Sequence, residues 1–406
     1  MGLMETKPLP FEIARQIVKD QIGRIVSTPP SETVDLEMAG GRVLSAPLKA
    51  DRDYPPFNRS ARDGFAVIAS DVAKTPARLR RIGQTRAGEP SRFHLQPGET
   101  VEIMTGAPGP QGADAVVMVE HSSRDGDYVT LTQNVLSGGN LIFQGSEAPA
   151  GSPVLEAGTV LDYRQVALLA SVGQSRVPVY RKPQVAILST GDEVVSIDAT
   201  PEPFQIRNSN AYSLAAQVRR RGGEPVVLPI APDEAARTRE LVEEGLRSDL
   251  LLLSGGVSMG KHDLVERVLR ELGAEFFFTQ VAIQPGKPLV FGRVGSTPVF
   301  GLPGNPISTM VTFEVFARIA LDRLAGKPDS PLPFVQARLG SDFQHKPVLT
   351  RFLPAVLAGD YGEATVNPVK WQGSGDLAAA AQANCYLVAA AGRASWKAGE
   401  WISILP

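Results

Sequence analysis

The sequence predicts a multidomain α/β plus β chain: a central, mostly parallel, three-layer α/β domain, N-terminal β modules and a small C-terminal β-barrel. Its 406 residues are more than one compact core normally holds. In the middle of the chain, continuous apolar strands alternate with helical segments, which is typical of a parallel sheet covered on both faces. On either side, short apolar runs separated by Gly- and Pro-rich turns indicate β modules.

The N-terminal region is predicted to span residues 1–181. Apolar residues recur at helical spacing and predict a first helix with one buried face; they are Phe11, Ala14, Ile17, Val18, Ile22 and Ile25. Short strand-like runs follow without a good helix and predict a β module over about 48–138. A Gly- and Pro-rich connector, 137–161, then leads into a short helix.

The central α/β domain is predicted over 182–327 and the small C-terminal β-barrel over 328–406. In the centre, "QVAILST", "EPVVLPI" and "DLLLLS" read as buried strands, with helical patterns between them. "PISTMVTFEVFARIALDRLAG" predicts a long closing helix, and "KPDSPLPF" predicts a linker. The short runs beyond the linker are separated by turn signals, which favours a small barrel or sandwich.

Composition argues against several classes of protein. The net charge is −2 without a basic block, so we expect no nucleic-acid partner. No apolar run is long enough to span a bilayer, so we expect no membrane partner. Cys385 is the only cysteine, which excludes an internal disulfide and fits the cytoplasm.

Gly- and Pro-rich loops follow four of the predicted strands of the central domain. Ligands bind beyond the carboxyl ends of the strands in an open parallel sheet, so these loops predict one site at one edge. They are Thr190–Glu193, Ser254–Gly260, Gln284–Pro288 and Pro303–Pro306.

The residue types in these loops indicate a phosphorylated ligand. Glycines expose backbone N–H groups that can surround an anion. Pro306 fits the first turn of a helix, whose N-terminus favours negative charge, and Lys287 adds a cation. The carboxylates of Glu193, Asp233 and Asp263 would repel phosphate unless Mg²⁺ lay between them.

Structural explanations remain open for the same residues. Asp263 with Glu266 fits a helix capping box, and Asp233 fits a helix N-cap. Glu193 fits a solvated turn, and Pro303 with Pro306 could simply shape a strand-to-helix turn. The loops match neither the dinucleotide-binding glycine fingerprint nor a P-loop.

Seven segments, in chain order, resemble the MoeA family of molybdopterin molybdenumtransferases, which is similar to the E domain of gephyrin. The resemblance covers nearly the whole chain. The segments are "PPFNRSARDGFAV", "VEIMTGAPGPQGADAVVMVE", "ILSTGDEV", "LLLLSGGVSMGKHD", "VAIQPGKPLVFG", "VFGLPGNPISTMVTFEVF" and "WQGSGDL".

The resemblance implies an activity and partners. Members of the family insert molybdate into adenylylated molybdopterin with release of AMP, in molybdenum cofactor biosynthesis, and need Mg²⁺. The central domain resembles MogA-type molybdopterin adenylyltransferases. The resemblance further implies a homodimer, with the site between the α/β domain of one subunit and the N-terminal β module of the other. A MogA-type adenylyltransferase and molybdoenzyme-specific factors are the implied partners.

The resemblance also implies roles for individual residues. Glu193 and Asp263 would hold the metal. Asp63, Thr105 and Asp233 match further functional positions and, with the two metal ligands, form the implied catalytic set. The implied substrate-binding residues are Thr190, Gly191, Ser254, Gly255, Gly256, Ser258, Lys287, Pro303, Gly304, Asn305, Pro306, Ser308, Arg351 and Ser374. Within this set, Lys287, Ser308, Arg351 and Ser374 would bind molybdate.

Two other functions remain open at this point. A tungstate-selective relative would use the same site, and glutamine at 284, where many relatives carry lysine, bears on oxyanion binding. A non-catalytic cofactor carrier or scaffold is the second alternative.

Overall fold

The N-terminal region folds into short strands with a helix near each end. The computed structural model describes residues 7–255, 264–329 and 331–406. Short 3-10 helices cover Leu36–Met38, Ala69–Val72 and Val119–His121. The other elements of this region are α1 (Phe11–Ile25), β1 (Ser31–Asp35), β2 (Leu48–Lys49), β3 (Arg59–Ser60), β4 (Gly64–Val67), β5 (Ala77–Thr85), β6 (Glu99–Ile103), β7 (Ala115–Met118), β8 (Ser122–Asp125), β9 (Tyr128–Leu131), β10 (Leu141–Ile142), β11 (Pro153–Leu155), α2 (Tyr163–Ser171) and β12 (Arg176–Tyr180).

The N-terminal β module is a mixed sheet with strand order β7-β4-β6-β5-β9-β8. Only β5 and β6 pair in parallel within it. Side chains alternate across the sheet, so Phe65 and Val67 enter one apolar cluster while Ala66 enters the other. Because alternate apolar side chains lie on opposite faces of the sheet, each face contributes to its own small core.

A second N-terminal unit forms around the β1–β12 pair. Strands β2 and β3 pair with β11 and β10, so the predicted connector folds back onto the segment before the module. Helix α2 begins with a capping box in which Asp162 and Gln165 satisfy each other's backbone N–H groups. Leu44, Leu161 and Leu169 lie in the core of this unit.

The central domain contains strands, helices and one π-helical turn, Phe313–Ala317, that joins two α-helical segments. Its elements are β13 (Gln184–Ser189), β14 (Val194–Val195), β15 (Ile206–Arg207), α3 (Ser209–Arg220), β16 (Glu224–Val227), α4 (Ala235–Gly245), β17 (Leu250–Ser254), α5 (Leu264–Glu271), β18 (Glu275–Gln280), β19 (Ile283–Gln284), β20 (Pro288–Val294), β21 (Thr297–Leu302), α6 (Pro306–Thr312) and α7 (Arg318–Leu324).

The predicted three-layer α/β arrangement of the central domain is confirmed. The sheet has the order β16-β13-β17-β21-β20-β18, and its first four strands run parallel. On β17, Leu250 and Leu252 enter one core while Leu251 and Leu253 enter the other. Helix α1 also buries its apolar face in the first of these cores, although it precedes the N-terminal β strands in sequence.

The C-terminal barrel closes through five strands, which confirms the predicted small β-barrel. The strands β24, β25, β22, β28 and β26 follow one another, and β26 pairs again with β24. Strand β19 of the central domain adds to β24, so the two domains share a sheet edge. The elements are β22 (Val335–Leu339), β23 (Phe343–Gln344), β24 (Thr350–Ala358), β25 (Thr365–Pro368), α8 (Leu377–Ala380), β26 (Cys385–Ala389), β27 (Ser395–Trp396) and β28 (Trp401–Leu405). Within the described ranges, every helix is too short or too polar to cross a membrane.

Candidate functional site

One cavity of about 1280 Å³ lies where the strand-end loops of the central domain face the C-terminal barrel. The loops that follow β13, β17, β19 and β21 all contribute to its wall. The barrel contributes Arg351 from β24 and a loop around Ser374. The predicted site residues on the wall are Thr190, Glu193, Ser254, Gly255, Lys287, Pro303, Gly304, Asn305, Pro306, Ser308, Arg351 and Ser374.

Two glycines of this edge cannot be replaced without displacing neighbouring atoms. Gly255 has φ +89°, and a Cβ there would lie 2.7 Å from the carbonyl oxygen of Thr190. Gly191 has φ +122°, and a Cβ there would lie 2.5 Å from a carboxylate oxygen of Glu193. Both positions favour glycine for backbone conformation, and Gly255 also for close approach, since its neighbour is a backbone oxygen whereas the Glu193 side chain can move. Gly191 itself is buried behind the wall and is not among the lining residues.

The N-terminus of α6 joins the two domains at the cavity. Pro306 occupies the first turn, as the sequence predicts, and Asn305 stands at the N-cap without a side-chain capping bond. The backbone N–H of Ile307 donates to the carbonyl oxygen of Ser374 at 3.0 Å. Ser308 is buried in the same turn. The barrel thus uses one N–H group of the helix terminus and holds Ser374 beside it.

Sequence reasoning missed Asn210, which bridges two of the cavity loops. Its amide nitrogen donates to Ser254 Oγ at 2.8 Å and to the carbonyl oxygen of Gly304 at 2.7 Å. Asn208, two residues earlier, is the N-cap of α3 and accepts from the backbone N–H of Ala211. In the segment "RNSNAY" an asparagine follows a short strand, which is typical of a helix N-cap. This pattern could have indicated that α3 begins beside the cavity.

Several polar atoms on the cavity wall have no hydrogen-bond partner within residues 7–255, 264–329 and 331–406. They are Thr190 Oγ1, Asn210 Oδ1 and Arg351 Nε, and all three are buried. Burial also lowers the pKa of Arg351. Because buried polar groups in proteins are nearly always hydrogen-bonded, these atoms indicate where a ligand or ordered water binds.

Carboxylates cluster where β13 ends. Glu193 lines the cavity, and the backbone N–H of Asp233 donates to Asp192 Oδ1 at 3.0 Å. Partial burial, and then the charges of Asp192 and Glu193, raise the pKa of Asp233. Asp233 is exposed and is not among the lining residues. Helix α4 starts with Glu234 at its N-cap, so Asp233 does not cap that helix.

The described residues supply only part of the implied metal site. Within those residues, no group of three or more His, Cys, Asp or Glu side chains is placed to hold a metal ion. Glu193 brings one exposed carboxylate to the cavity, which suits Mg²⁺ because that ion commonly takes one or two carboxylates together with ligand phosphates. Gly256, Ser258 and Asp263 lie outside the described residues.

Asp63 and Thr105 meet each other in the N-terminal β module. Asp63 Oδ1 accepts from the Thr105 backbone N–H at 2.6 Å and from its hydroxyl at 2.8 Å. These two bonds, the backbone one first, lower the pKa of Asp63. Neither residue belongs to the described wall of the cavity.

Three family descriptions match successive parts of the chain. Residues 9–173 match "MoeA N-terminal region (domain I and II)". Residues 186–323 match "Probable molybdopterin binding domain", and residues 336–406 match "MoeA C-terminal region (domain IV)". The three matches together extend over most of the chain.

Relatives named molybdopterin molybdenumtransferase align over most of their length. The Bacillus subtilis protein is 34% identical over 384 residues, which cover 92% of this chain and 89% of the relative. A Staphylococcus aureus protein is 32% identical over 396 residues, with 96% and 94% coverage. The crystal structure of a molybdopterin biosynthesis MoeA protein from Pyrococcus horikoshii OT3 is 28% identical with a TM-score of 0.79 and covers 98% of this chain and 99% of that one.

Proposed function

The chain belongs to the MoeA family, and from this premise we propose that it is a molybdopterin molybdenumtransferase that inserts molybdate into adenylylated molybdopterin and releases AMP. Its relatives carry that name, which is consistent with a role in molybdenum cofactor biosynthesis. The observation that carries the proposal is the cavity shared by the central domain and the barrel, with cations and unpaired polar atoms on its wall.

The cavity wall suits both parts of the ligand. Ser254 and Gly255 would bind the phosphates from the central domain, since a glycine at positive φ leaves its backbone open to an anion. Lys287 and Arg351 would bind molybdate, because cations of the two domains face one cavity. Ser308 and Ser374 add hydroxyl donors to the same wall.

The arrangement also explains how the chain would favour release of AMP. In the proposed step an oxygen of molybdate attacks the phosphorus of the molybdopterin phosphate, a new P–O bond forms, the bridging P–O bond breaks, and AMP leaves with its own phosphate and the bridging oxygen. Fixed donors such as Lys287 stabilise charge that develops on the phosphate oxygens. Trp371, which packs against the cores of both domains, forms an apolar part of the wall and excludes water.

We propose that Glu193 and Asp263 would hold Mg²⁺ in this cavity. The metal would supply charge neutralisation at the phosphates. Asp192 and Asp233 lie next to Glu193 and would add negative charge that favours a cation. We therefore propose that the negative charge of Asp233 favours binding of the cation at Glu193.

A homodimer would bring the remaining predicted residues to the cavity. Asp63 and Thr105 hold each other in place on the exposed surface of the N-terminal module and lie off the described wall of their own cavity. A partner subunit's module would supply this pair at the open side. We further propose a cytoplasmic enzyme that receives its substrate from a MogA-type adenylyltransferase and delivers its product to molybdoenzyme-specific factors.

The test is molybdate-dependent AMP release. The protein is mixed with adenylylated molybdopterin and Mg²⁺, and AMP is measured with and without molybdate. We expect molybdate to stimulate AMP formation, and Lys287→Ala to remove most of that stimulation. Tungstate in place of molybdate measures the preference between the oxyanions. AMP formation that ignores both oxyanions would contradict the proposal.

A further inference from the structure

A small pocket with several basic side chains in its lining lies between α1, α7 and the chain that leads to the barrel. We call it the basic pocket; its charged residues are Arg15, Lys19, Arg318, Asp322, Arg323, Lys327 and Asp329. None of these residues lines the cavity between the strand-end loops and the barrel. Five cations therefore share this pocket with only two carboxylates.

The carboxylate of Asp322 is already used inside the basic pocket. Asp322 accepts from Arg318 Nε at 3.0 Å and from Lys327 Nζ at 2.8 Å. Within the described part of the chain, the side chains of Arg15, Lys19 and Arg323 make no hydrogen bond or ion pair, and the guanidinium of Arg15 lies 5.6 Å from the centroid of the Phe11 ring. Positive charge therefore exceeds negative charge among the described residues of the basic pocket, where Asp329 is the second carboxylate.

Arg318 has an unused donor although it is only 9% exposed. Its Nη1 atom is buried and has no hydrogen-bond partner among the residues that the structure describes. The Glu314 carboxylate lies 4.0 Å from Nη1 and is engaged by Arg221 at 2.6 Å. A buried guanidinium donor without an acceptor is destabilising, so an acceptor that reached Nη1 would stabilise the folded chain.

Arg15 faces Arg318 across the basic pocket. Burial, and then the charge of Arg318, lower the pKa of Arg15 to about 10, and Glu12 offsets part of this. Like charges held together out of water destabilise the folded chain, and an anion between them would relieve that repulsion.

We propose that the basic pocket binds a small multivalent oxyanion of the phosphate class. The enclosed space is about 20 Å³, enough for one water-sized group, so one oxygen of the anion would enter while the others stay outside. Arginine and lysine donors match such oxygens through charge-assisted hydrogen bonds. This site is separate from the proposed catalytic function and does not depend on it.

The experiment uses inorganic phosphate as the probe and the full chain. Thermal unfolding and isothermal titration are run in phosphate and in chloride at equal ionic strength. We expect phosphate to raise the Tm saturably, and Arg15→Gln or Lys19→Gln to weaken phosphate binding about tenfold, the loss of one charge-assisted bond. Arg15→Gln should also raise the Tm in the absence of phosphate.

Arg24→Gln is the matched control, since Arg24 is an exposed cation on the same helix and does not line the basic pocket. It should bind phosphate as the unaltered chain does. Equal phosphate responses in Arg15→Gln, Lys19→Gln and the unaltered chain would overturn the proposal. A Tm rise that follows ionic strength alone would overturn it as well.

Discussion

Asn210 connects two segments of the cavity wall and thereby stabilises the shape of the cavity. One side-chain amide joins the end of β17 to the loop before α6, and its oxygen has no hydrogen-bond partner in the described part of the chain. Both connected segments are proposed to bind the ligand. Replacing Asn210 should therefore change the positions of both.

We expect Asn210→Ala to lower the free energy of unfolding by about 1–3 kcal/mol, since two hydrogen bonds to partly buried groups are lost. It should also weaken AMP binding, measured by isothermal titration. Asn384→Ala is the control, because Asn384 makes two similar bonds to the backbone of Leu357 in the barrel. If both variants lose stability and AMP affinity equally, Asn210 has no specific role at the cavity.

Asp233 gives a prediction with a pH dependence. Its pKa is raised in the folded chain, so its favourable contribution to stability is complete below the unfolded pKa and is lost as pH rises through the folded value. Asp233→Asn removes the repulsion with Asp192 and Glu193. We expect a higher Tm than that of the unaltered chain at pH 7 and little difference near pH 3. A Tm gain that is largest at acidic pH would contradict this cause.

At the scale of elements, the chain can leave β17 as it does because Gly255 adopts a positive φ. Gly255→Ala combines strain at φ +89° with a Cβ 2.7 Å from Thr190 O, whereas Gly273→Ala has a similar φ of +82° and open space around the new atom. We expect Gly273→Ala to cost about 1 kcal/mol of unfolding free energy and Gly255→Ala to cost about 1–3 kcal/mol more. Urea unfolding measures both, and equal costs would show that the close approach is unimportant.

Helix α1 and strand β19 both contact segments that are distant in sequence. Periodicity predicts that α1 buries one face, and the structure places Phe11 of that face against Phe316 and Phe352 of the later domains. The run from 275 to 283 reads as one strand in sequence, yet β18 ends at Gln280 and β19 joins the barrel. Local pattern sets which face is apolar, but the partner comes from distant segments.

At the scale of the whole molecule, the proposed site needs two subunits. We expect Asp63→Ala and Arg351→Ala each to abolish AMP release. Mixing the two variants under conditions that exchange subunits should restore about one quarter of the activity, because half of the dimers are then mixed and each carries one intact site. Mixtures that remain inactive despite demonstrated exchange would contradict a site built from both subunits.

The sequence by itself determined the layered α/β centre, the flanking β parts and the four strand-end loops, because side-chain periodicity and glycine or proline chemistry act locally. Resemblance to a family was needed for Arg351 and Ser374, since no local pattern ties a barrel residue to a cavity far away in sequence. Only the tertiary structure decided that the barrel contacts the start of α6, that Asn210 bridges two loops, and that five cations meet beside α1. These features arise from contacts between segments many residues apart, and such contacts form through packing of the whole chain rather than through the preferences of any single stretch.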